Sequence, residues 1–133
     1  MPMYHSTRSA TEQLTAKSAV LAGIAPDGGL YVTDDLSDLR FDLSDITSKD
    51  FRGIARQVLG RLFDDYADEE IAECVDAAYG STFDSPAVTP LVPVGDDYVL
   101  ELFHGPTSAF KDVALQMLPQ LMSHARRDGE HVM

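Results

Sequence analysis

HGPTSAFKD, residues 104–112, joins a strand-like run, YVLELF at 98–103, to a segment whose apolar residues recur at helical spacing. The Gly105-Pro106 pair punctuates the chain, and the hydroxyls of Thr107 and Ser108 are suited to capping a helix that starts just after them. A strand that feeds a helix here, after further strands and helices upstream, predicts an α/β class, with helices around a small mixed sheet. Lys111 is the oddity of the stretch. Lysine belongs on a solvated face, yet this one sits between Phe110 and Asp112 at the mouth of a helix.

An amine attacks a carbonyl only after losing its proton, and a free lysine, with a pKa of about 10.4, is almost wholly protonated at neutral pH. Two features of the position are expected to disfavour the charge: the partial positive charge of a helix N-terminus and partial burial beside Phe110. Asp112 opposes them. Converging backbone amides and the Thr107 and Ser108 hydroxyls would also suit an anion. A cofactor with both an aldehyde and a phosphate, pyridoxal phosphate, needs such a pairing; the alternative is a lysine whose stem snorkels along a helix cap.

Downstream, SAFKDVALQMLPQLMSHARRD places Phe110, Ala114, Met117, Leu118 and Leu121 on one predicted face, with Thr107 or Ser108 as cap and Arg126-Arg127 at the end. Pro119 is expected to kink the helix or stop it early. Gly129 to Met133 reads as a turn opening another strand, the look of a piece of a longer polypeptide. Upstream, PLVPVGDDYVLELF at 90–103 reads as a hairpin about Gly95-Asp96-Asp97, its first strand demoted to an edge by Pro90 and Pro93.

A helix is predicted over 68–79, its first turn carrying Asp68, Glu69 and Glu70, and another over 47–63, capped by Thr47 or Ser48. The latter's apolar stripe is Phe51, Ile54, Val58 and Leu62, with Lys49, Arg52, Arg56 and Arg61 exposed. Short strands are expected near 3–5 and 30–32, the second entered through Asp27-Gly28-Gly29. TEQLTAKSAVLAGI between them reads as a helix capped by Ser9 or Thr11 and closed by Gly23.

The 133 residues suffice for one compact domain, 1–133. A net charge of −12 with scattered basic residues argues against a nucleic acid or an anionic membrane as partner. No run approaches the roughly 20 apolar residues of a bilayer span, and MPMYHSTRS has no signal-type apolar core, so a cytoplasmic location is expected. The single Cys74 reads as an ordinary buried thiol, and no Cys/His spacing suggests a metal site. His104 adjoins the motif and reads as a strand-end histidine bonded to backbone, the alternative being a ligand contact; His5, His124 and His131 are scattered.

ELFHGPTSAFKD, residues 101–112, resembles the cofactor-lysine motif of the threonine synthase family, and STRSATEQLTAKSAVLAGIAPDGGLYVT, residues 6–33, resembles that family's N-terminal signature. The lysine motif also occurs in related enzymes of the same pyridoxal-phosphate fold type; the N-terminal stretch narrows the choice. Ser9, Thr33 and Ser108 depart mildly from the family pattern, and none touches the lysine.

The resemblance implies a pyridoxal-phosphate carbon–oxygen lyase that converts O-phospho-L-homoserine and water to L-threonine and phosphate. It makes Lys111 the Schiff-base lysine and catalytic proton carrier and Phe110 a packing partner of the cofactor, with Asp112 orienting the helix start and taking no part in the chemistry. It also implies that the loop cradling the cofactor phosphate lies past residue 133, in a missing C-terminal region of a two-domain enzyme. The fragment alone is then expected to lack activity and cofactor. Two alternatives stand: a threonine-synthase-like phospholyase acting on a related phosphorylated amino acid, and a non-catalytic binding or interaction domain in which Lys111 merely caps a helix.

Overall fold

The computed structural model describes residues 2–34 and 39–126. The expected strand after Gly129, together with Arg127 and His131, lies outside these residues. Two short N-terminal strands come first, β1 (Tyr4–Ser6) and β2 (Ser9–Leu14), followed by α1 (Ala16–Ala22) and β3 (Tyr31–Val32). The three strands form an antiparallel sheet of order β2-β1-β3. The start of the predicted helix over 11–24 is thus strand. Its N-terminal part, SATEQL, pairs with β1 through Tyr4↔Leu14 and Ser6↔Ser9. The helix starts only after Thr15, whose side chain accepts from Ser18 N, and it ends at Gly23 as expected.

The PDGG turn is tied to the strand start by side chains. Ser6 Oγ donates to Asp27 Oδ1 at 2.7 Å, Gly29 N donates to the same oxygen at 2.9 Å, and Arg8 Nη1 reaches the Asp27 carbonyl at 2.9 Å. Hydrogen bonds, that from Ser6 foremost, hold the Asp27 carboxyl below its ordinary value. Gly28 sits at φ +78°, and a Cβ at Gly29 would overlap the Ser6 hydroxyl, so both glycines are required by this knot. Thr7 and Leu30 complete it with a backbone bond and a hydroxyl contact.

Three helices follow: α2 (Leu43–Thr47), α3 (Phe51–Leu62) and α4 (Asp68–Tyr79). Because 43–47 forms its own short helix, capped by Asp42, the cap of α3 is Asp50, whose side chain accepts from Gly53 N, and neither Thr47 nor Ser48. The packed stripe of α3 is also rotated from the expected one: Phe51, Ala55 and Leu59 meet the core, whereas Ile54, Val58 and Leu62 do not belong to it. Helix α4 keeps its predicted bounds, with the three acidic residues in its first turn and Glu70 Oε2 accepting from Ala67 N at 2.8 Å.

The predicted hairpin is present as β4 (Leu91–Val94) and β5 (Asp97–Leu100), in register Leu91↔Leu100 and Val94↔Asp97. It forms a sheet of its own, so among the described residues the strands of this α/β chain fall into two antiparallel sheets where one was expected. Helix α5 (Asp112–Ala125) runs through Pro119 without the expected early stop.

The core lies where α4 packs against α3 and α5, with α1 closing on α5. Ile71, Cys74, Val75, Ala78 and Tyr79 of α4 are buried against Met117 and Leu121 of α5. Burial pushes the Cys74 thiol up to about 11, and carboxylates at Glu70 and Glu73 add to it, as befits an inert interior group. Buried tyrosine hydroxyls are satisfied by main-chain carbonyls: Tyr66 donates to Leu121 O at 3.0 Å and Tyr79 to Val113 O at 2.7 Å. Val88, fully enclosed before β4, holds φ +60°, a conformation a β-branched residue accepts only where packing compels it. Among the described residues no helix is long and apolar enough to cross a membrane.

Candidate functional site

Residues 101–111 form an irregular passage from β5 to α5. Its entrance is pinned twice by backbone, Glu101 N to Pro90 O at 2.9 Å and Asp84 N to His104 O at 3.0 Å. The His104 ring bridges two carboxylates, Nδ1 to Asp84 Oδ1 at 2.5 Å and Nε2 to Glu101 Oε2 at 2.7 Å, and stacks on Phe103 at 4.6 Å between centroids. A carboxylate oxygen thus faces each ring nitrogen. The Glu101 and Asp84 bonds accordingly raise the imidazole above its ordinary value. His104 therefore bonds side chains in place of the backbone partner expected for its ring. Nothing local foretold Asp84, 20 residues earlier.

Past His104 the chain turns sharply. Ser108 N donates to Gly105 O at 3.0 Å, and Ser108 itself lies at φ +57°. Thr107 contributes both its amide, to Asp112 Oδ2 at 2.8 Å, and its hydroxyl, to Asp112 Oδ1 at 2.8 Å. The expected helix cap is thereby reversed. Thr107 donates to a carboxylate in the first turn, and the cap position of α5 is occupied by Lys111, whose side chain makes no capping bond. Its carbonyl accepts the first helical bonds, from Ala114 N at 3.0 Å and Leu115 N at 2.8 Å.

Lys111 and Phe110 both lie on the open surface of this chain, Phe110 at 65% exposure. The partial burial of the amine expected from Phe110 is absent, because the face of α5 that meets the core is Val113, Met117, Leu121 and Ala125. Phe110, Ala114 and Leu118, assigned to that face from the sequence, are turned outward. Leu115 and Leu118 join Phe110, Phe103, Leu102 and the hairpin residue Tyr98 among the exposed apolar side chains. Among the described residues no carboxylate pairs with Lys111, although the chain carries a net charge of −12. Among the described residues no group of three or more His, Cys, Asp or Glu is arranged to hold a metal ion.

A sequence profile described as threonine synthase N terminus matches residues 3–79, more than half of the chain. The chain belongs to the threonine synthase N-terminus family. Its similarity to curated threonine synthases runs further than the profile. The Pseudomonas aeruginosa threonine synthase is 41% identical over 139 residues, covering 97% of this chain and 28% of that protein. The Schizosaccharomyces pombe threonine synthase is 40% identical and is matched over 95% of this chain and 26% of its own length. In three dimensions the chain superposes on the crystal structure of pyridoxal-phosphate-bound threonine synthase from Brucella melitensis with a TM-score of 0.83. That likeness, at 38% identity, covers 94% of this chain and 27% of that one. The chain thus spans little more than a quarter of the length of the threonine synthases it matches. A match over 97% of the chain necessarily includes the Lys111 stretch, which the threonine synthase N-terminus profile does not reach.

Proposed function

We propose that residues 1–133 form a single N-terminal domain of a threonine synthase, an enzyme that converts O-phospho-L-homoserine and water to L-threonine and inorganic phosphate with pyridoxal phosphate as cofactor. The observation that carries this reading is the match of 97% of this chain, the Lys111 stretch included, to a threonine synthase, with Lys111 exposed on a hydrogen-bonded loop and without an ion pair among the described residues. When bound, pyridoxal phosphate supplies an aldehyde for attachment and an electron-withdrawing ring that makes the substrate's carbon-bound protons acidic.

The chain's own residues then have distinct tasks. The Lys111 Nζ would hold the cofactor and would carry protons to and from the substrate Cα and Cβ. Phe110, exposed in this chain, would pack against the cofactor ring and exclude water from that face. The rest of the pocket belongs to the greater part of the relatives' length, and residues there supply the desolvation that this surface lacks. No glycine-rich phosphate loop occurs in the 133 residues. The reading places the enzyme in the cytoplasm, where the single Cys74 stays reduced.

Full-length protein supplied with pyridoxal phosphate and O-phospho-L-homoserine is expected to release threonine and phosphate in equal amounts, and the 133-residue chain alone none. Phosphate without threonine would replace the reading with that of a related phospholyase. Steady turnover by the chain alone would contradict the assignment of the pocket to residues elsewhere.

A further inference from the structure

Asp112 is 1% exposed and is one of the two buried polar or charged side chains of the described residues. An acidic residue in the first turn of a helix ordinarily faces solvent and interacts with the dipole or with first-turn amides. Asp112 does otherwise. Both of its oxygens are taken by one residue on the far side of Lys111, the Thr107 amide on Oδ2 and the Thr107 hydroxyl on Oδ1, each at 2.8 Å. Among the described residues no cation pairs with it. The side chain also fills the space in front of Gly105, where an added Cβ would overlap it. A buried carboxylate is tolerated only where donors satisfy it, so the carboxylate and the Thr107 donors fix one another.

From this geometry we infer that Asp112 is a positioning residue for Lys111: it closes residues 107–112 into a ring that sets the backbone of the lysine before the cofactor arrives. The inference rests on the reading of Lys111 given above. Upstream the ring is braced by the Ser108 N to Gly105 O bond and the left-handed Ser108; downstream Tyr79 holds Val113 O at 2.7 Å from helix α4. Between these anchors the Lys111 Cα has little freedom, and only its side-chain torsions remain to be searched. A nucleophile held this way reacts as part of a preformed geometry, so loosening the ring lowers the rate of attachment without altering the amine.

The test uses full-length protein, reading hydrogen exchange over 104–112 and the rate at which borohydride fixes pyridoxal phosphate to Lys111. Asp112→Ala is expected to speed exchange at the Thr107 amide and to slow fixation by about tenfold or more. Thr107→Val, which keeps the amide but loses the hydroxyl, falls between it and wild type, and Thr107→Ser stays within about twofold of wild type. The double variant Asp112→Ala/Thr107→Val is expected to be no slower than Asp112→Ala alone. A folded Asp112→Ala protein that fixes the cofactor at the wild-type rate, or fully additive losses in the double variant, would overturn the inference. Should Asp112→Ala not fold, Thr107→Val decides, wild-type fixation in it being the contrary result. Wild-type protein that fixes nothing at Lys111 sinks the underlying reading instead, and exchange at Thr107 still reports on the ring.

Discussion

Two lysines near helix starts show how differently one side chain is used in the same chain. Lys17, in the first turn of α1, donates to both oxygens of Glu70 at 2.8 and 3.1 Å, and its ammonium lies 4.7 Å from the centroid of the Tyr66 ring. Its amide is held by Asp65. Every part of it ties α1 to the chain around α4. Lys111, before α5, has its backbone fixed as firmly but its amine left without a carboxylate among the described residues. In an acidic protein an unpaired, exposed cation beside exposed apolar side chains is an available group, whereas a paired one is structural.

The sharpest way to break this contrast is to remove each amine in turn. In full-length protein Lys111→Ala is expected to lower threonine formation by roughly 10²- to 10⁴-fold, the scale of a lost proton-transferring group, or more with cofactor attachment also gone. Its thermal melting should stay near wild type. Assays of phosphate release and calorimetry on the same preparation check both halves.

The packed and open sides should diverge nearly as far in stability. Ile71→Ala, in the core beneath α3 and α5, is expected to cost about 2–5 kcal/mol in denaturant titration. Leu118→Ala on the outward face of α5 is expected to stay within about 0.5 kcal/mol when the 133-residue chain is measured. Comparable losses at both positions would erase the distinction.

Lys17→Met is expected to destabilise by roughly 1 kcal/mol, since both partners are only partly exposed and Glu70 loses its counter-ion. Burial works against the ionised Glu70, yet the Lys17 and Ala67 bonds prevail and hold its carboxyl below its ordinary value. The Lys17 contribution is therefore present above about pH 4.5, the unfolded value, and is lost as pH falls through the lower folded value. Stability curves of wild type and Lys17→Met should converge in acid. Smallest is the effect at His104, whose value is raised in the folded chain. The stability difference between wild type and His104→Gln is expected to be full below about pH 6.5 and to fade as pH rises through the raised value. A difference that grows with pH would contradict the two-carboxylate clamp.

Helix α4 is legible because its signal is local: Asp68, Glu69 and Glu70 lie together at its start, where the helix dipole favours them. Residues 9–14 are not, because Glu12, Gln13 and Leu14 favour helix intrinsically and become strand only by pairing with β1. The stripe of α3 is hidden for a related reason: Ile54 and Val58 are as apolar as Ala55 and Leu59, and only the position of α4 selects between the two faces. At the candidate site, Lys111 and the loop around it could be read from HGPTSAFKD. Its exposure, the Thr107–Asp112 ring and the Asp84 partner of His104 could not, since each depends on where distant or neighbouring chain is placed.

The central claim is that Lys111, alone among the three lysines of this sequence, is the amine presented for an aldehyde. Borohydride reduction of the full-length protein with pyridoxal phosphate, followed by peptide mapping, tests it most directly. Within residues 1–133 the account expects the reduced cofactor on the peptide containing Lys111, with Lys17 and Lys49 unmodified. Label on Lys17 or Lys49, or an unlabelled Lys111, would contradict it.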